Sequence, residues 1–380
     1  MTYLTYQDIV EHLIVASYGG PQDAEQKDIR TAVQRAYREL TTMRDWKYYN
    51  TQCRIKFNPA WIGTVTYSSD TGQFTLENGD PFPLYAASCH IRIENTVSRI
   101  ATRNSNTVLT ADPIIRPTDD ILEPTTASLY QNTYPLPDDF RNMDTPIDQY
   151  KWSYFVYVTP DEAMKLESAR DVQGPPNCWT VTKDPYGPGW VVKVIGYPKT
   201  ITSLDFSYRR YARLLRLSGH EAAARQGTIT ASGTSVTGVG TAFTSSMVGS
   251  VLRVGTASAV PDTLGSLNPY VDEAIVRSVA SATSLTLETA VTASGAKYVV
   301  TDPADMPMSM HNALLSCAEY WLSRLRGSKP DNAFAMYQRD LRLAMEADQL
   351  TPINTHPQVV YDTGGWRSPL QPDNYDGGAA

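Results

Sequence analysis

Cysteine and histidine are both scarce in this chain, four and five among 380 residues. Cys53, Cys89, Cys178 and Cys317 lie far apart and form no CxxC or other metal-ligand spacing. None of His12, His90, His220, His311 and His356 has a second His or Cys at ligand distance along the chain, so a zinc or non-haem iron site is not expected. Buried free thiols in a reducing compartment are the simplest reading of the cysteines. No apolar run approaches the roughly 20 residues that a spanning helix needs. The start, MTYLTYQDIV, has no basic stretch leading into an apolar one. The product is expected to be soluble, made in the cytoplasm and free of a membrane anchor.

Catalytic signatures are missing too. There is no GxSxG elbow and no GxxxxGK(S/T) loop. Gly238-Val-Gly240 begins like a dinucleotide fingerprint but lacks the third glycine and the helix whose N-terminus would receive a phosphate. Asp119-Asp120 and Asp138-Asp139 are adjacent carboxylates, whereas a glycosidase needs two separated across a sugar, so turn and capping duty is the expectation. We expect no enzyme activity, no cofactor and no metal.

A cationic excess is also absent: 33 Lys and Arg face 40 Asp and Glu, a net charge of −7. Affinity for duplex DNA comes from cationic side chains that displace counterions, so an acidic chain is poorly suited to gripping it. Lining a passage through which DNA slides remains compatible. One segment runs against the average, Tyr208 to Arg225, with Arg209, Arg210, Arg213, Arg216 and Arg225 against Glu221 alone. Tyr208 and Tyr211 are interleaved, which would suit single-stranded nucleic acid. Ion pairs with an acidic neighbouring subunit suit the overall charge better, and this is the preferred reading.

What is plentiful is turn and strand chemistry. Hydrophobic residues make up 42%, with 23 Gly, 25 Pro and 23 Tyr; this favours a well-filled core and short strands joined by turns. The length predicts two or three folding units. Residues 1–52 read as a helical part. Thr5-Tyr6-Gln7-Asp8 offers a capping box before Ile9, Val10, Leu13 and Ile14. A longer helix from Ala24 to Asp45 carries the stripe Ile29, Val33, Ala36, Tyr37, Leu40 and Met43. Residues 53–121 read as a first β-module, 122–225 as a linker and β-sheet region, and 226–302 as a second β-module rich in Gly, Ser, Thr and Val. Pro117 to Pro135 is a polar crossing into the third of these regions, where Asp184-Pro-Tyr-Gly-Pro-Gly189 is a hairpin loop. Residues 303–350 return to helical period, with Met310, Leu314, Cys317, Trp321 and Leu325, then Phe334, Tyr337, Leu341 and Met345. Residues 351–380 read as an extended tail with Tyr361 and Trp366 embedded.

The two β-modules match each other. Gly63-Thr-Val-Thr aligns with Gly227-Thr-Ile-Thr, Ile91-Arg92-Ile93 with Leu252-Arg253-Val254, Ile100 with Val279, and Val108-Leu109 with Leu285-Leu287; an insertion falls around Ala259 to Tyr270. The helices at the two ends each have one apolar face that they cannot bury alone. The expected fold is therefore α+β: a helical bundle built from N- and C-terminal helices, with inserted antiparallel β-modules and an extended C-terminal tail.

Several stretches resemble virion proteins of tailed bacteriophages, in particular head-to-tail adaptors, also called connector or head-completion proteins. Ala36-Tyr-Arg-Glu-Leu40 followed by Arg44-Asp-Trp46 is similar to their amino-terminal helical part. Tyr134-Pro-Leu-Pro-Asp-Asp-Phe140 looks like their Leu-Pro-x-Asp-Phe entry, and Trp190 to Tyr211 resembles the paired strands after it. Thr237-Gly-Val-Gly-Thr-Ala-Phe243 resembles a Thr-Gly-x-Gly-Thr-x-Phe module found among phage structural proteins, and Met306 to Asp348 resembles the closing helices. The resemblance implies a closed cyclic homo-oligomer of twelve copies with heterologous contacts. The ring would sit in the virion neck, docked on the portal protein above and on tail proteins (nozzle, hub or fibre) below. Double-stranded DNA would pass through without sequence-specific binding. Arg209, Arg210, Arg213, Arg216, Tyr361 and Trp366 would then meet the portal or a neighbouring subunit. A tail hub, fibre or decoration protein is the alternative within virions, and a carbohydrate-binding or carbohydrate-active protein the alternative outside them.

Overall fold

The computed structural model describes residues 3–17, 27–94, 96–146, 156–169, 177–196, 202–261, 270–327 and 330–349. The chain begins with α1 (Tyr6–Ala16) and α2 (Lys27–Thr42), then β1 (Asn50–Phe57), β2 (Trp61–Ser68), β3 (Gln73–Gly79), β4 (His90–Ile93), β5 (Thr96–Arg103) and β6 (Val108–Ala111). It continues through β7 (Ile121–Tyr130), β8 (Thr133–Pro135), β9 (Phe140–Pro146), β10 (Val156–Tyr157), α3 (Pro160–Ala169), β11 (Cys178–Lys183), β12 (Trp190–Ile195) and β13 (Thr202–Arg210). The remainder is α4 (Ala222–Arg225), β14 (Thr228–Val239), β15 (Val251–Val254), β16 (Asp272–Ser281), β17 (Ser284–Ala296), β18 (Tyr298–Thr301), α5 (His311–Leu325) and α6 (Asp331–Gln349).

The expected helical bundle with inserted β-modules is overturned. Among the described residues 42% are strand and 29% helix, arranged in several antiparallel sheets and one closed six-stranded barrel. The physical reason lies in the stretches between the recognised modules. Their alternating runs bury enough apolar surface to make cores of their own, so the terminal helices do not organise the molecule. The extended tail, with Tyr361 and Trp366, lies outside the described residues.

The chain divides into two compact units: Asp45–Leu214, and Met1–Arg44 joined by Leu215–Ala380. In the central unit the barrel follows the order β2-β3-β6-β5-β4-β7, and β7 pairs back onto β2. Val65, Phe74, Ile91, Ile100, Leu109 and Leu129 are fully buried inside it. Trp61 plugs one end, its Nε1 donating to the Asp80 carbonyl at 2.7 Å. Its ring lies across Gly63, where a Cβ would stand 2.5 Å from the indole, so glycine is required there. The crossing from Pro117 to Pro135 proves to contain the closing strand β7. Its outer face is Thr, Pro and Glu because it meets solvent, which is why it reads as a linker. Pro124 is tolerated because the β2–β7 register shifts between the Val65 and Tyr67 pairs, the kind of irregularity where a missing N–H costs little.

A second core in the same unit joins the three-stranded sheet β1-β13-β9 to the four-stranded sheet β10-β11-β12-β8. Phe57, Phe206, Val192 and Leu204 are nearly or fully inaccessible there, each such burial contributing roughly 1.5–3 kcal/mol. The Asp184–Gly189 loop joins β11 to β12 as a hairpin, closed by Asp184 N donating to Gly189 O at 3.0 Å.

In the other unit the sheet runs β14-β17-β16-β15-β18 over a core that includes Val236, Phe243, Leu252, Val276, Leu285 and Tyr298. Helix α5 packs against α1, α2 and α6. Ile9, Leu13, Val33, Leu40, Leu314 and Cys317 are buried as their spacing requires. The later stripe holds less well: Tyr337 is buried, but Phe334 is exposed, and Asp340 and Ala344 take the covered face of α6. Glu39 of α2 accepts from Trp321 Nε1 at 2.7 Å and Tyr337 OH at 2.9 Å, tying α2 to α5 and α6.

The barrel and the five-stranded sheet share one pairing scheme. The barrel order β3-β6-β5-β4-β7 corresponds to β14-β17-β16-β15-β18, with β2 matching the first part of β14 and the middle of β7 the end of β17. Registers agree residue by residue. His90↔Tyr130 and Ile93↔Ala127 match Val251↔Thr301 and Val254↔Tyr298, and Val65↔Thr125 matches Ile229↔Ala296. Even the irregularities coincide: the shift after Ile100↔Ala111 matches the shift after Val276↔Leu287. Ile100 therefore corresponds to Val276, three residues before the Val279 that the sequence match pairs with it.

Candidate functional site

The Arg-rich segment is divided between the two units, and the structure does not bring its arginines together as one patch within either unit. Arg209 lies in β13 opposite Asn50 and Asn142, and its guanidinium grips the Asp45 carboxylate. Arg141 approaches the same carboxylate at 3.7 Å. The hydrogen bond from Arg209 holds the Asp45 carboxyl below the usual carboxylate range. Arg210 lies over the Tyr48 and Tyr49 rings, 5.4 Å from each centroid, a cation–π arrangement. Next to them Tyr208 donates to Asp139 at 2.9 Å; burial first, then that carboxylate, pushes the phenol up to about 12. Asp138-Asp139 forms a turn, as its composition suggests, and Asp139 also accepts the Tyr211 N–H through its carbonyl at 2.7 Å. Arg213 is half-buried in the irregular stretch after β13.

In the other unit Arg216 presents an exposed side chain while its N–H donates to Asp302 Oδ2 at 2.6 Å. Arg225 ends α4, with Nε on the Gly219 carbonyl at 2.7 Å and Nη2 on His220 Nδ1 at 2.8 Å. Arg209, Arg210 and Arg225 thus meet their own unit's acceptors and rings. Arg216 is exposed and Arg213 half-buried.

Sequence reasoning missed a more concentrated polar site, centred on Arg253 of β15. Its side chain is 2% exposed. Nη1 and Nη2 each donate to the Asp8 carboxylate at 2.7 Å, Nη2 also to the Tyr3 carbonyl at 3.2 Å, and Nε faces Glu273 at 3.4 Å. Burial by itself would lower the guanidinium pKa, but the Asp8 bonds outweigh it and raise it. Asp8 is available because it closes the capping box of α1, accepting from Thr5 N and Thr5 Oγ1 at 2.9 Å. Beside it the buried Asp302 accepts from Ser250 Oγ at 2.7 Å and from the N–H groups of Arg216 and Leu217. A fully paired buried ion of this kind specifies how a helix seats on a sheet, since breaking it leaves a bare charge. The signal that could have revealed it is a lone Arg inside the apolar run Val251-Leu-Arg-Val254.

Next to this knot is a cleft of about 270 Å³ lined by Tyr3, Tyr270, Asp272, Glu273, Glu288 and Thr289 among others. Its three carboxylates make it unsuited to a phosphate. Elsewhere in this unit the Thr237–Phe243 motif closes the sheet. Thr241 Oγ1 and Phe243 N donate to the Ala282 carbonyl at 2.8 and 3.0 Å, and Phe243 drops into the core against Tyr298. Gly240 has a positive φ of 67°, and a Cβ on Gly238 would stand 2.2 Å from Thr241 Oγ1, so the motif needs both glycines.

Burial pushes the Cys89 and Cys317 thiols up to about 12, whereas Cys53 and Cys178 are half-buried. Among the described residues no group of three or more His, Cys, Asp and Glu is placed to hold a metal ion, and no helix is long and apolar enough to cross a membrane. No protein-family profile matches the chain, and no curated protein matches its sequence.

Proposed function

We propose that this chain is a structural, non-enzymatic component of a tailed-phage virion, a head-to-tail adaptor whose copies form a ring joining the portal to the tail. The observation that carries the reading is the Thr237–Phe243 turn. Its glycines and Phe243 act together to close a compact β-module, and this is the motif through which the chain resembles phage structural proteins. The pairing scheme of that module occurs twice. Modules that carry their own cores suit rigid building blocks of an assembly.

In this reading twelve copies make a cyclic ring with heterologous contacts, located in the virion neck after assembly in the host cytoplasm. The ring docks on the portal, receives tail proteins below, and lets double-stranded DNA pass without base-specific contacts. Arg209, Arg210, Arg213 and Arg216 are the cationic residues that meet the portal or a neighbouring subunit. Tyr361 and Trp366 anchor the tail on the portal. Tail hubs and fibres share the same resemblance to the Thr237–Phe243 module, and copy number separates them from an adaptor, since they form trimers or sixfold rings.

The test is electron microscopy of the full chain mixed with portal, alongside a chain ending at Thr351. A twelvefold collar below the portal, lost on truncation while the monomer stays folded, is the expected result. A trimer or sixfold ring moves the chain to a hub or fibre, and portal binding unchanged by truncation removes Tyr361 and Trp366 from the interface.

A further inference from the structure

The two modules treat one face differently. On the five-stranded sheet the outer row Arg253, Val299 and Thr301 is buried beneath the start of α1. Three interactions hold it there: the Asp8 carboxylate on Arg253, the Tyr3 carbonyl on the same guanidinium, and Gln7 N donating to Thr301 Oγ1 at 3.1 Å. By register the corresponding barrel row is Arg92, Ser128 and Tyr130, flanked by Val97 and Ile62. That row has an arginine at the same position; Tyr130 is buried, but the flanks are open, with Ile62 69% exposed and Val97 40%. Arg92 is half-buried and donates to the Glu94 carbonyl of its own hairpin.

The central unit also carries a segment similar to the one that covers this row in the other module. Tyr3-Leu-Thr5-Tyr-Gln-Asp8 has its counterpart in Tyr157-Val-Thr159-Pro-Asp-Glu162. The helix cap is built the same way, although Tyr157 also lies in β10, paired to Trp179 of β11. Thr159 N and Oγ1 both donate to Glu162 Oε2 at 3.0 Å, as Thr5 N and Oγ1 do to Asp8 Oδ2. Each acid stands at the third helical position, where the helix dipole favours it. The surroundings differ. Met164 is 67% exposed where the equivalent Val10 of α1 is fully buried, and Tyr157 is half exposed.

We infer that the barrel face around Arg92 is a docking surface for the Tyr157–Glu162 segment of a second copy of this chain, with Glu162 pairing to Arg92 as Asp8 pairs to Arg253. The charges are complementary, and the exposed Ile62, Val97, Tyr157 and Met164 supply apolar surface on both sides. Because donor and acceptor faces are different surfaces, one copy can offer them to two different neighbours, a head-to-tail contact that closes into a ring when the rotation allows. This deepens the adaptor proposal and rests on its premise that the copies associate with one another.

The experiment is sedimentation velocity over a concentration series of the full chain, alone and with portal, for wild type, Arg92→Glu, Glu162→Arg and the double charge swap. Each single reversal places like charges together and is expected to weaken association about a hundredfold or more. The double swap is expected to recover it; circular dichroism should show every variant folded, with a small drop in melting for the two that carry Glu162→Arg, whose helix loses its capping carboxylate. Assembly of both single variants like wild type overturns this docking surface and leaves the ring reading standing. Failure of the folded double variant to recover overturns the direct pairing. A wild-type chain that stays monomeric in both conditions overturns the docking surface and the ring together.

Discussion

The barrel and the five-stranded sheet share strand order, register and even the position of their irregularities, yet they are finished in different ways. In the barrel, β2 turns back through a hairpin into β3, and β7 closes on β2. In the other module β14 runs through without a hairpin, and α1 seats on the outer face through the Asp8–Arg253 pair. The entry and exit of each module are clasped alike. Gln131 accepts from Asn58 Nδ2 at 2.7 Å, and its register equivalent Asp302 accepts the N–H groups of Arg216 and Leu217. One scaffold therefore tolerates either closure or cover, provided its edge groups are satisfied. The shared arginine differs in burial, fully enclosed as Arg253 and half-buried as Arg92.

The sharpest way to break the comparison is at that arginine. Removing one member of a buried pair strands the other charge, so Asp8→Ala is expected to destabilise its unit by about 3–5 kcal/mol. Arg92→Ala in the dilute monomer should stay within about 0.5 kcal/mol. Urea denaturation measures both, and equal effects would mean that the two arginines do not differ as described. Next in size, Leu109→Ala and Leu285→Ala truncate equivalent buried positions, and each should cost about 2–5 kcal/mol. The point of that pair is similarity, and a large disparity between them would show that the shared register does not produce equivalent packing.

Smaller than either core truncation is the effect expected at the Asp45–Arg209 pair, which has no counterpart in the comparison and so serves as its surface control. Asp45 is half exposed, and Asp45→Asn should cost within about 1 kcal/mol at neutral pH. Because its carboxyl is depressed in the folded chain, its contribution is present above the ordinary carboxylate value of about 3.9 and is lost as pH falls through the lower folded value. Wild type and Asp45→Asn should therefore converge in stability at acid pH, as read from melting between neutral pH and about pH 3.

Much of the local structure was legible because it depends on near neighbours. Thr5 and Asp8 cap a helix wherever the chain goes, and Asp184-Pro-Tyr-Gly-Pro-Gly189 turns because few other conformations suit those residues. The match of Gly63 with Gly227 and of Ile91 with Leu252 survives as true register, since buried positions in paired strands repeat every second residue. The match of Ile100 with Val279 did not, because a register shift inside each strand pair moves the correspondence to Val276. Strand β7 escaped notice because a strand that closes a barrel shows solvent a Thr-, Pro- and Glu-bearing face. The α+β bundle failed because periodicity reports that a helix has an apolar face and says nothing of how much core lies elsewhere.

Of the candidate site, composition made the arginine-rich segment visible, but could not show that Arg209 would meet Asp45 or that Arg216 would fall in a different unit. What the sequence determined alone was local: caps, turns, the glycine motif and the alternation that makes a strand. Tertiary structure decided which charges are enclosed, for Asp8 and Arg253 are 245 positions apart and nothing in the spacing joins them. Burial and pairing depend on what packs across a sheet, and only the folded chain brings those surfaces together.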